Sequence, residues 1–296
     1  MYKYKITIFT PTYNRGHLLE RLYNSIKRQT FKNFEWIIVD DGSYDNTEEI
    51  VSAWLKEDNY FPIRYYKKTN GGKCRAINYA VDLAEGQLFF TVDSDDYLTD
   101  DALEKIDFWE NTIKDKKMFC GVAGMRGTSD EFLKNANTNF SYLDMNSLDQ
   151  DFNKVGNATC ERAEAIYTEI YRKFKSPEYE GENFISEGVV WNRIAHLGYD
   201  FRCFSDIIWI FEYLDTGLTK NIHKLHLQNP YGYGLLLKEK LLFTKTSFKE
   251  KFQTYYFFYC DMVEQYDYKQ IASFIKTKKI FMKIIEIIHK IKSKLK

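Results

Sequence analysis

A chain of 296 residues with 44% hydrophobic and 17% aromatic side chains can bury a sizeable core, and only four prolines interrupt it. Formal charge is zero overall but uneven: residues 271–296 carry eight Lys and one Glu, a charge of +7, which leaves −7 on the other 270. An acidic body argues against nucleic acid as the main partner, no apolar run approaches the roughly 20 residues that span a bilayer, and five scattered cysteines without metal-ligand spacing read as free thiols in a reducing cytosol.

In chain order, Met1–Lys5 leads directly into a strand, so no signal peptide and a cytoplasmic location are expected. Ile6–Thr10 form that strand, and Pro11-Thr12-Tyr13-Asn14-Arg15-Gly16 is the loop after it. Leu18, Leu19, Leu22 and Ile26 then recur at helical spacing. Phe34–Asp40 is a second strand ending in Asp40-Asp41-Gly42-Ser43. Asp45 or Asn46 caps the next helix, with Glu48 or Glu49 placed for a capping box and Ile50, Val51 and Trp54 on the apolar face. Ile63–Tyr66 is a third strand, followed by Asn70-Gly71-Gly72-Lys73 and a helix through Ala76, Ile77, Ala80, Val81 and Leu83. Gln87–Val92, the fourth strand, ends abruptly in Asp93-Ser94-Asp95-Asp96.

Strands alternating with helices across short connections predict an α/β fold with a mostly parallel sheet covered by helices. The binding crevice of such a sheet lies beyond the carboxyl ends of its strands. All four loops there are polar, and two of them carry clustered carboxylates. Asp93 and Asp95 alternate on an extended backbone, so they can face the same way. Repelling carboxylates of this kind suit a hard divalent cation, Mn²⁺ or Mg²⁺, with a phosphate partner. The alternative is a solvated acidic turn capping a helix that begins near Thr99. No G-x-G-x-x-G follows the first strand and no Walker-type loop occurs, which weakens dehydrogenase and P-loop readings of the same topology.

Beyond residue 100, Asp101–Ile113 read as helix and Met118–Met125 as a strand made irregular by Gly121 and Gly124. Residues 127–155 are polar and loop-rich, and Ala163–Lys173 suggest a helix. An acidic stretch, Glu180 to Gly188, precedes a helix bearing Val189, Trp191, Ile194 and Ala195. Asp206–Tyr213 alternate as a strand, and from Leu214 onward the chain turns helical, aromatic and then basic. In residues 276–296, Ile280, Phe281, Ile284, Ile287, Ile288, Ile291 and Leu295 recur at helical spacing between lysines. Such a helix suits an anionic membrane surface, or it packs on the body of the protein or on a second subunit, which leaves a homo-oligomer open.

Four motifs in order and spacing, Thr10-Pro11-Thr12-Tyr13-Asn14-Arg15, Val39-Asp40-Asp41-Gly42-Ser43, Asn70-x-Gly72-x-x-x-Ala76-x-Asn78 and Asp93-Ser94-Asp95-Asp96, resemble glycosyltransferase family 2 enzymes of the GT-A fold. The resemblance is strong over the first hundred residues, extends to an acceptor-side acidic motif in 180–196, and is absent from the last eighty. It implies a Rossmann-like GT-A domain over 1–215, donor-binding in 1–100 and acceptor-side in 101–215, with a helical extension over 216–296. It further implies an inverting transfer from a nucleotide-sugar donor, usually UDP-linked, to a glycan or lipid-linked acceptor in cell-surface polysaccharide synthesis. On this resemblance Pro11, Thr12 and Tyr13 line the nucleoside pocket and Arg15 approaches it or the diphosphate. Asp40 or Asp41 accepts from the uracil N–H, with Asn70, Gly72, Lys73 and Arg75 nearby. Asp93 contacts ribose or metal, Ser94 belongs to the nucleotide-sugar-binding residues, and Asp95 binds the metal.

The attacking hydroxyl needs a general base. The family usually shows Glu-Asp where this chain has Glu187-Gly188. Glu187 is the first candidate for that base, with Glu182 and Glu180 as alternatives, and a simple helix-start role for Glu187 as the competing reading. His223 or His226 could complete the metal shell, although a histidine at such a position is more often structural. The missing aspartate also raises a nucleotide-sugar-binding or scaffold protein without catalysis.

Overall fold

The computed structural model describes residues 2–128, 142–149, 152, 154–155, 158–159, 161–212 and 221–294. Most of the expected loop region 127–155, Tyr213, Leu214, Leu295 and the expected boundary at 215/216 lie outside these. The chain forms two compact units, one of residues 1–175 and 197–214, the other of residues 176–196 and 215–296.

The first unit alternates strand and helix: β1 (Tyr4–Thr12), α1 (Gly16–Lys27), β2 (Phe34–Asp40), α2 (Thr47–Trp54), β3 (Ile63–Lys67), α3 (Lys73–Leu83) and β4 (Gly86–Thr91). It continues through β5 (Tyr97–Leu98), α4 (Ala102–Asn111), β6 (Phe119–Gly127), β7 (Leu143–Met145), β8 (Lys154–Val155), β9 (Ala158–Thr159), β10 (Arg162–Tyr167), α5 (Thr168–Lys173) and β11 (Asp200–Ile210). Among the described residues, one sheet runs β3-β2-β1-β4-β10-β6-β11-β5, with β7 beside β11 and a separate β8–β9 ladder. Every residue of β2 is buried, as a near-continuous apolar run must be at the centre of a parallel sheet covered on both sides. Tyr23 of α1 stacks on Trp54 of α2 at 4.2 Å and on Trp36 of β2 at 6.1 Å. Each large side chain buried in this way contributes about 1.5–3 kcal/mol.

The half of the sheet before Val92 is wholly parallel. The half after it is mixed, because β10 runs antiparallel to both β4 and β6. Residues 163–173, expected as one helix, are strand up to Tyr167 and helix only from Thr168. The helix-favouring alanines mislead here. Ala163 and Ala165 lie in the interior of the sheet, where β10 approaches β6 so closely that a Cβ on Gly121 would come within 2.1 Å of the Ala165 carbonyl. Tertiary packing overrides a weak propensity. The strand expected at 206–213 begins earlier, at Asp200. Two reversals of direction make β6 parallel to β4, and β11 follows β6. The carboxyl ends of β6 and β11 therefore join those of β1, β2 and β4 on one edge.

The second unit contains α6 (Gly188–His196), α7 (Ile222–Gln228), α8 (Pro230–Phe243), α9 (Phe248–Met262), α10 (Tyr268–Phe274) and α11 (Lys279–Lys294). Its core gathers Phe258, Tyr259, Met262, Ile271, Phe274, Met282 and Ile285. Ser247 with Glu250, and Asp267 with Gln270, close capping boxes that fix the starts of α9 and α10. Among the described residues no helix is long and apolar enough to cross a membrane.

Candidate functional site

The first loop is latched to the second. Asn14, at φ 52°, accepts from the Tyr44 N–H at 3.0 Å, while its own N–H donates to Ser43 Oγ at 2.8 Å. The Gly16 N–H donates to Asp45 Oδ2 at 3.1 Å. Asp45 Oδ1 accepts from the Thr47 N–H, also at 3.1 Å, so Asp45 supplies the side-chain cap of α2 and Asn46 does not. The expected capping box with Glu48 or Glu49 does not form.

The second loop separates the roles of its two aspartates. Asp40 is fully buried: Oδ1 accepts from the Ser43 N–H and Oδ2 from the Tyr65 hydroxyl, both at 2.7 Å. Its carboxylate is spent holding the turn. Asp41 reaches across to the third loop. It accepts from Lys68 Nζ at 2.6 Å, from the Gly71 N–H at 3.0 and 3.1 Å, and from the Gly72 N–H at 2.7 Å. Its own N–H donates to the Thr12 carbonyl at 2.8 Å. One residue thus ties the end of β2 to the end of β1 through its backbone and to the loop after β3 through its side chain. The fit demands glycine at position 42, where φ is +91° and a Cβ would sit 3.0 Å from the Asn70 nitrogen. Gly72, at φ 90°, opens α3. Arg75 donates to the Gly71 carbonyl at 3.1 Å, and Asn70 is exposed.

The fourth loop carries the carboxylates. Asp93 pairs with Lys73 Nζ at 2.6 Å and with Arg126 at 3.7 Å. Burial alone would raise its pKa, but Lys73, Arg126 and Arg15 outweigh burial and hold it below the usual carboxylate range. Asp95 is ion-paired with Arg15, and Arg21 donates to its backbone carbonyl. Asp96 is buried and accepts from Trp209 Nε1 at 2.7 Å. Burial, then the charges of Asp93 and Asp95, push the Asp96 carboxyl up to about 7. The Arg126 guanidinium lies 3.5 Å above the Trp209 ring, a cation–π contact that holds it against Asp93. Ser94 is buried beside these groups.

Two buried polar atoms on these strand ends, Thr12 Oγ1 and Arg126 Nε, have no hydrogen-bond partner among the described residues. Buried groups of that kind are costly unless something satisfies them. Tyr13, by contrast, is 44% exposed and meets the exposed Tyr44 edge-on at 6.3 Å.

Among the described residues no three His, Cys, Asp or Glu side chains converge as a metal cage. Mg²⁺ and Mn²⁺ do not require one. They are commonly held by one or two carboxylates, with substrate phosphates and water completing the shell. Asp93 and Asp95, hard oxygen donors whose side chains are partly exposed, could hold such an ion.

In the second unit, the Glu187 carbonyl accepts from the Val190 N–H at 2.9 Å and the Trp191 N–H at 3.2 Å, so Glu187 stands at the start of α6. Glu182 is buried and spent: its two oxygens accept from the Tyr231 and Gly232 N–H groups at 2.6 and 2.8 Å. It anchors the first turn of α8, and burial raises its pKa. Glu180 is exposed. His226 stacks on Tyr233 with ring centres 4.3 Å apart, its buried Nε2 without a hydrogen-bond partner among the described residues, while His223 is exposed.

The motifs did not flag Lys68, Tyr65, Arg126 or Trp209. An arginine closing an apolar strand, Gly124-Met125-Arg126-Gly127, was the available signal for Arg126. Its meaning depends on the two chain reversals that bring β6 parallel to β4.

The model of the family described as glycosyl transferase family 2 matches residues 7–164. A glycosyltransferase of Streptococcus pneumoniae, GlyG, is 36% identical over 101 residues, 34% of this chain and 33% of that one. A Campylobacter jejuni protein named GalNAc(5)-diNAcBac-PP-undecaprenol beta-1,3-glucosyltransferase is 38% identical over 106 residues, 34% of this chain and 33% of that one. The chain thus spans about a third of the length of both curated relatives. Among solved structures, S. aureus TarS 1-349 in complex with UDP superposes with a TM-score of 0.59 at 18% identity, covering 84% of this chain and 69% of that one. The mannosyltransferase PcManGT from Pyrobaculum calidifontis, in complex with GDP-Man and Mn²⁺, gives 0.58 at 18% identity, covering 88% and 72%. These likenesses identify the fold as GT-A. With the family model matched over more than half of its length, the chain belongs to glycosyl transferase family 2.

Proposed function

We propose that the protein transfers a sugar, with inversion, from a UDP-linked donor to a hydroxyl of a glycan or lipid-linked acceptor in cell-surface polysaccharide synthesis. The observation that carries this reading is the end of β4, where Asp93 and Asp95 are each ion-paired to a basic side chain from a neighbouring loop, Lys73 and Arg15. A donor diphosphate can take over those cations while the carboxylates turn to a divalent ion. When bound, that ion acts as a Lewis acid on the leaving diphosphate. Asp95, with Asp93, would hold it.

Pro11, Thr12 and Tyr13 line the nucleoside side. Thr12 Oγ1 is a buried polar group available to a ligand, and exposed Tyr13 offers a ring face to a base. Asp41, or its neighbour Asp40, serves the nucleobase: Asp40 is the more deeply buried and holds Ser43 and Tyr65, while Asp41 faces the third loop through Lys68, Gly71 and Gly72. Asn70, Gly72, Lys73 and Arg75 border that pocket, and Ser94 sits between the metal-side aspartates. Glu187 serves as general base for the acceptor hydroxyl. The assignment rests on its motif, and Glu182 is committed to the start of α8. Residues 101–215 form the acceptor side and 216–296 the helical extension.

Gly188, standing where the family usually has aspartate, favours one second reading, a protein that binds the donor without turning it over. Thermal shift with a panel of nucleotide sugars and Mn²⁺, followed by single-turnover transfer with the best binder, separates the two. A ligand specific to the folded state raises apparent stability. Stabilisation by UDP-sugars together with product formation supports transfer. Stabilisation without product supports the second reading, and no stabilisation by any nucleotide sugar refutes both.

A further inference from the structure

The C-terminal helix, Lys279–Lys294, has two apolar faces rather than one. Met282 and Ile285 are fully buried in the core of the second unit. Ile280, Ile284, Ile287 and Ile291 are 73%, 48%, 49% and 55% exposed. At about 100° per residue these four isoleucines fall within an arc of roughly 60°, on the side of the helix away from Met282 and Ile285, in a stripe about 16 Å long. Lys279, Lys283, Lys290 and Lys294 form a row along one edge of that stripe. Glu286, which pairs with Lys283 and Lys290, sits on the far side of the row from it.

We propose that this stripe docks on an anionic lipid bilayer surface, with the isoleucines in the headgroup–acyl boundary and the lysine row on the lipid phosphates. A helix already packed on one side that exposes β-branched apolar residues on the other has no folding reason to do so. Long lysine stems beside the stripe let the ammonium groups reach the interface while the isoleucines insert. The charge segregation of the chain, +7 in residues 271–296 against −7 elsewhere, orients the basic end toward a negative surface. A second copy fits the same stripe poorly. An antiparallel two-fold pairing sets the lysine rows side by side, and residues 279–294 offer a single glutamate against five lysines.

The test is co-sedimentation of the full chain with vesicles of equal parts phosphatidylglycerol and phosphatidylcholine, or of phosphatidylcholine alone, with no nucleotide present. The full chain is expected to pellet with the anionic vesicles at low salt, less at high salt, and little with neutral ones. The quadruple variant Ile280→Ser, Ile284→Ser, Ile287→Ser and Ile291→Ser alters only exposed side chains and should melt like the parent. Its partitioning should fall at least about tenfold, since four interfacial isoleucines are lost. Lys279→Gln with Lys294→Gln should weaken binding to anionic vesicles alone. The proposal is overturned if the full chain stays in the supernatant with anionic vesicles at low salt, or if the serine variant binds like the parent. It is equally overturned if that variant changes only the mass of a self-associated species in equilibrium sedimentation. None of these readouts depends on sugar transfer, so the two proposals fail separately.

Discussion

Replacing Asp41 by asparagine keeps the shape of the side chain and removes one acceptor oxygen and the charge. In the structure Oδ1 receives Lys68 at 2.6 Å and the Gly71 N–H at 3.0 Å, while Oδ2 receives the Gly71 and Gly72 N–H groups at 3.1 and 2.7 Å. An amide must choose. With its oxygen toward Lys68, its NH₂ meets the Gly72 N–H. With its oxygen toward the glycines, its NH₂ meets the lysine ammonium. Either orientation sets donor against donor at a site with 7% side-chain exposure. A stranded donor costs about 1–3 kcal/mol, and the surviving bonds lose their charge assistance. Together these amount to roughly 2–4 kcal/mol. Urea unfolding followed by tryptophan fluorescence measures the loss as a lower midpoint at unchanged slope, and UDP titration at a permissive temperature should show weakened binding. A variant within about 0.5 kcal/mol of the parent would refute the view that this carboxylate holds the strand ends together.

Trp209→Phe removes the donor to Asp96 and should cost about 1–3 kcal/mol. Asp96 already has a folded pKa raised to about 7, so its contribution to stability is present in acid and declines as pH rises through that value. The variant should therefore lose more stability, measured by thermal unfolding, on the alkaline side of about pH 7 than on the acid side. Glu187→Gln is expected to keep donor binding and abolish single-turnover transfer. Glu182→Gln should instead lower the melting temperature, its amide facing the Tyr231 and Gly232 N–H groups, and keep measurable turnover. Comparing rate with melting temperature for the pair checks both. Burial holds His226 below the 6.5 of a free imidazole, so the unfolded chain takes up a proton that the folded one refuses. Stability should be full above about pH 6.5 and fall as the solution is acidified, and His226→Phe should flatten that slope in thermal melts.

The parallel half of the fold was legible because each of its signals is local. Buried strands read as apolar runs, and each run ends in a polar loop whose residues share one edge of a parallel sheet. The acidic pair Asp40-Asp41 was legible as a pair. Only the folded chain divides it into one aspartate that holds a turn and one that joins three loops, because the difference lies in partners 25 to 31 residues away. Strand β10 was not legible, since its alanines favour helix when taken alone and become strand only between β4 and Gly121 of β6. Arg126 and Trp209 went unread for the same reason. Their contribution depends on strand order, which the spacing of apolar residues does not encode. In the C-terminal segment the helix and its isoleucines were visible, but not that Ile285 turns inward while Ile284 and Ile287 stay outside.

The central claim is that Asp95 holds a divalent ion for a nucleotide-sugar donor. Isothermal titration of UDP into the parent protein and Asp95→Ala, each with Mn²⁺ and with excess chelator, tests it most directly. We expect tight binding by the parent with Mn²⁺, and binding at least about tenfold weaker for the parent in chelator and for Asp95→Ala in either condition, with unfolding midpoints of the two proteins close together. Equal affinity of the parent in Mn²⁺ and chelator, or an Asp95→Ala variant that keeps the full Mn²⁺-dependent affinity, would contradict it.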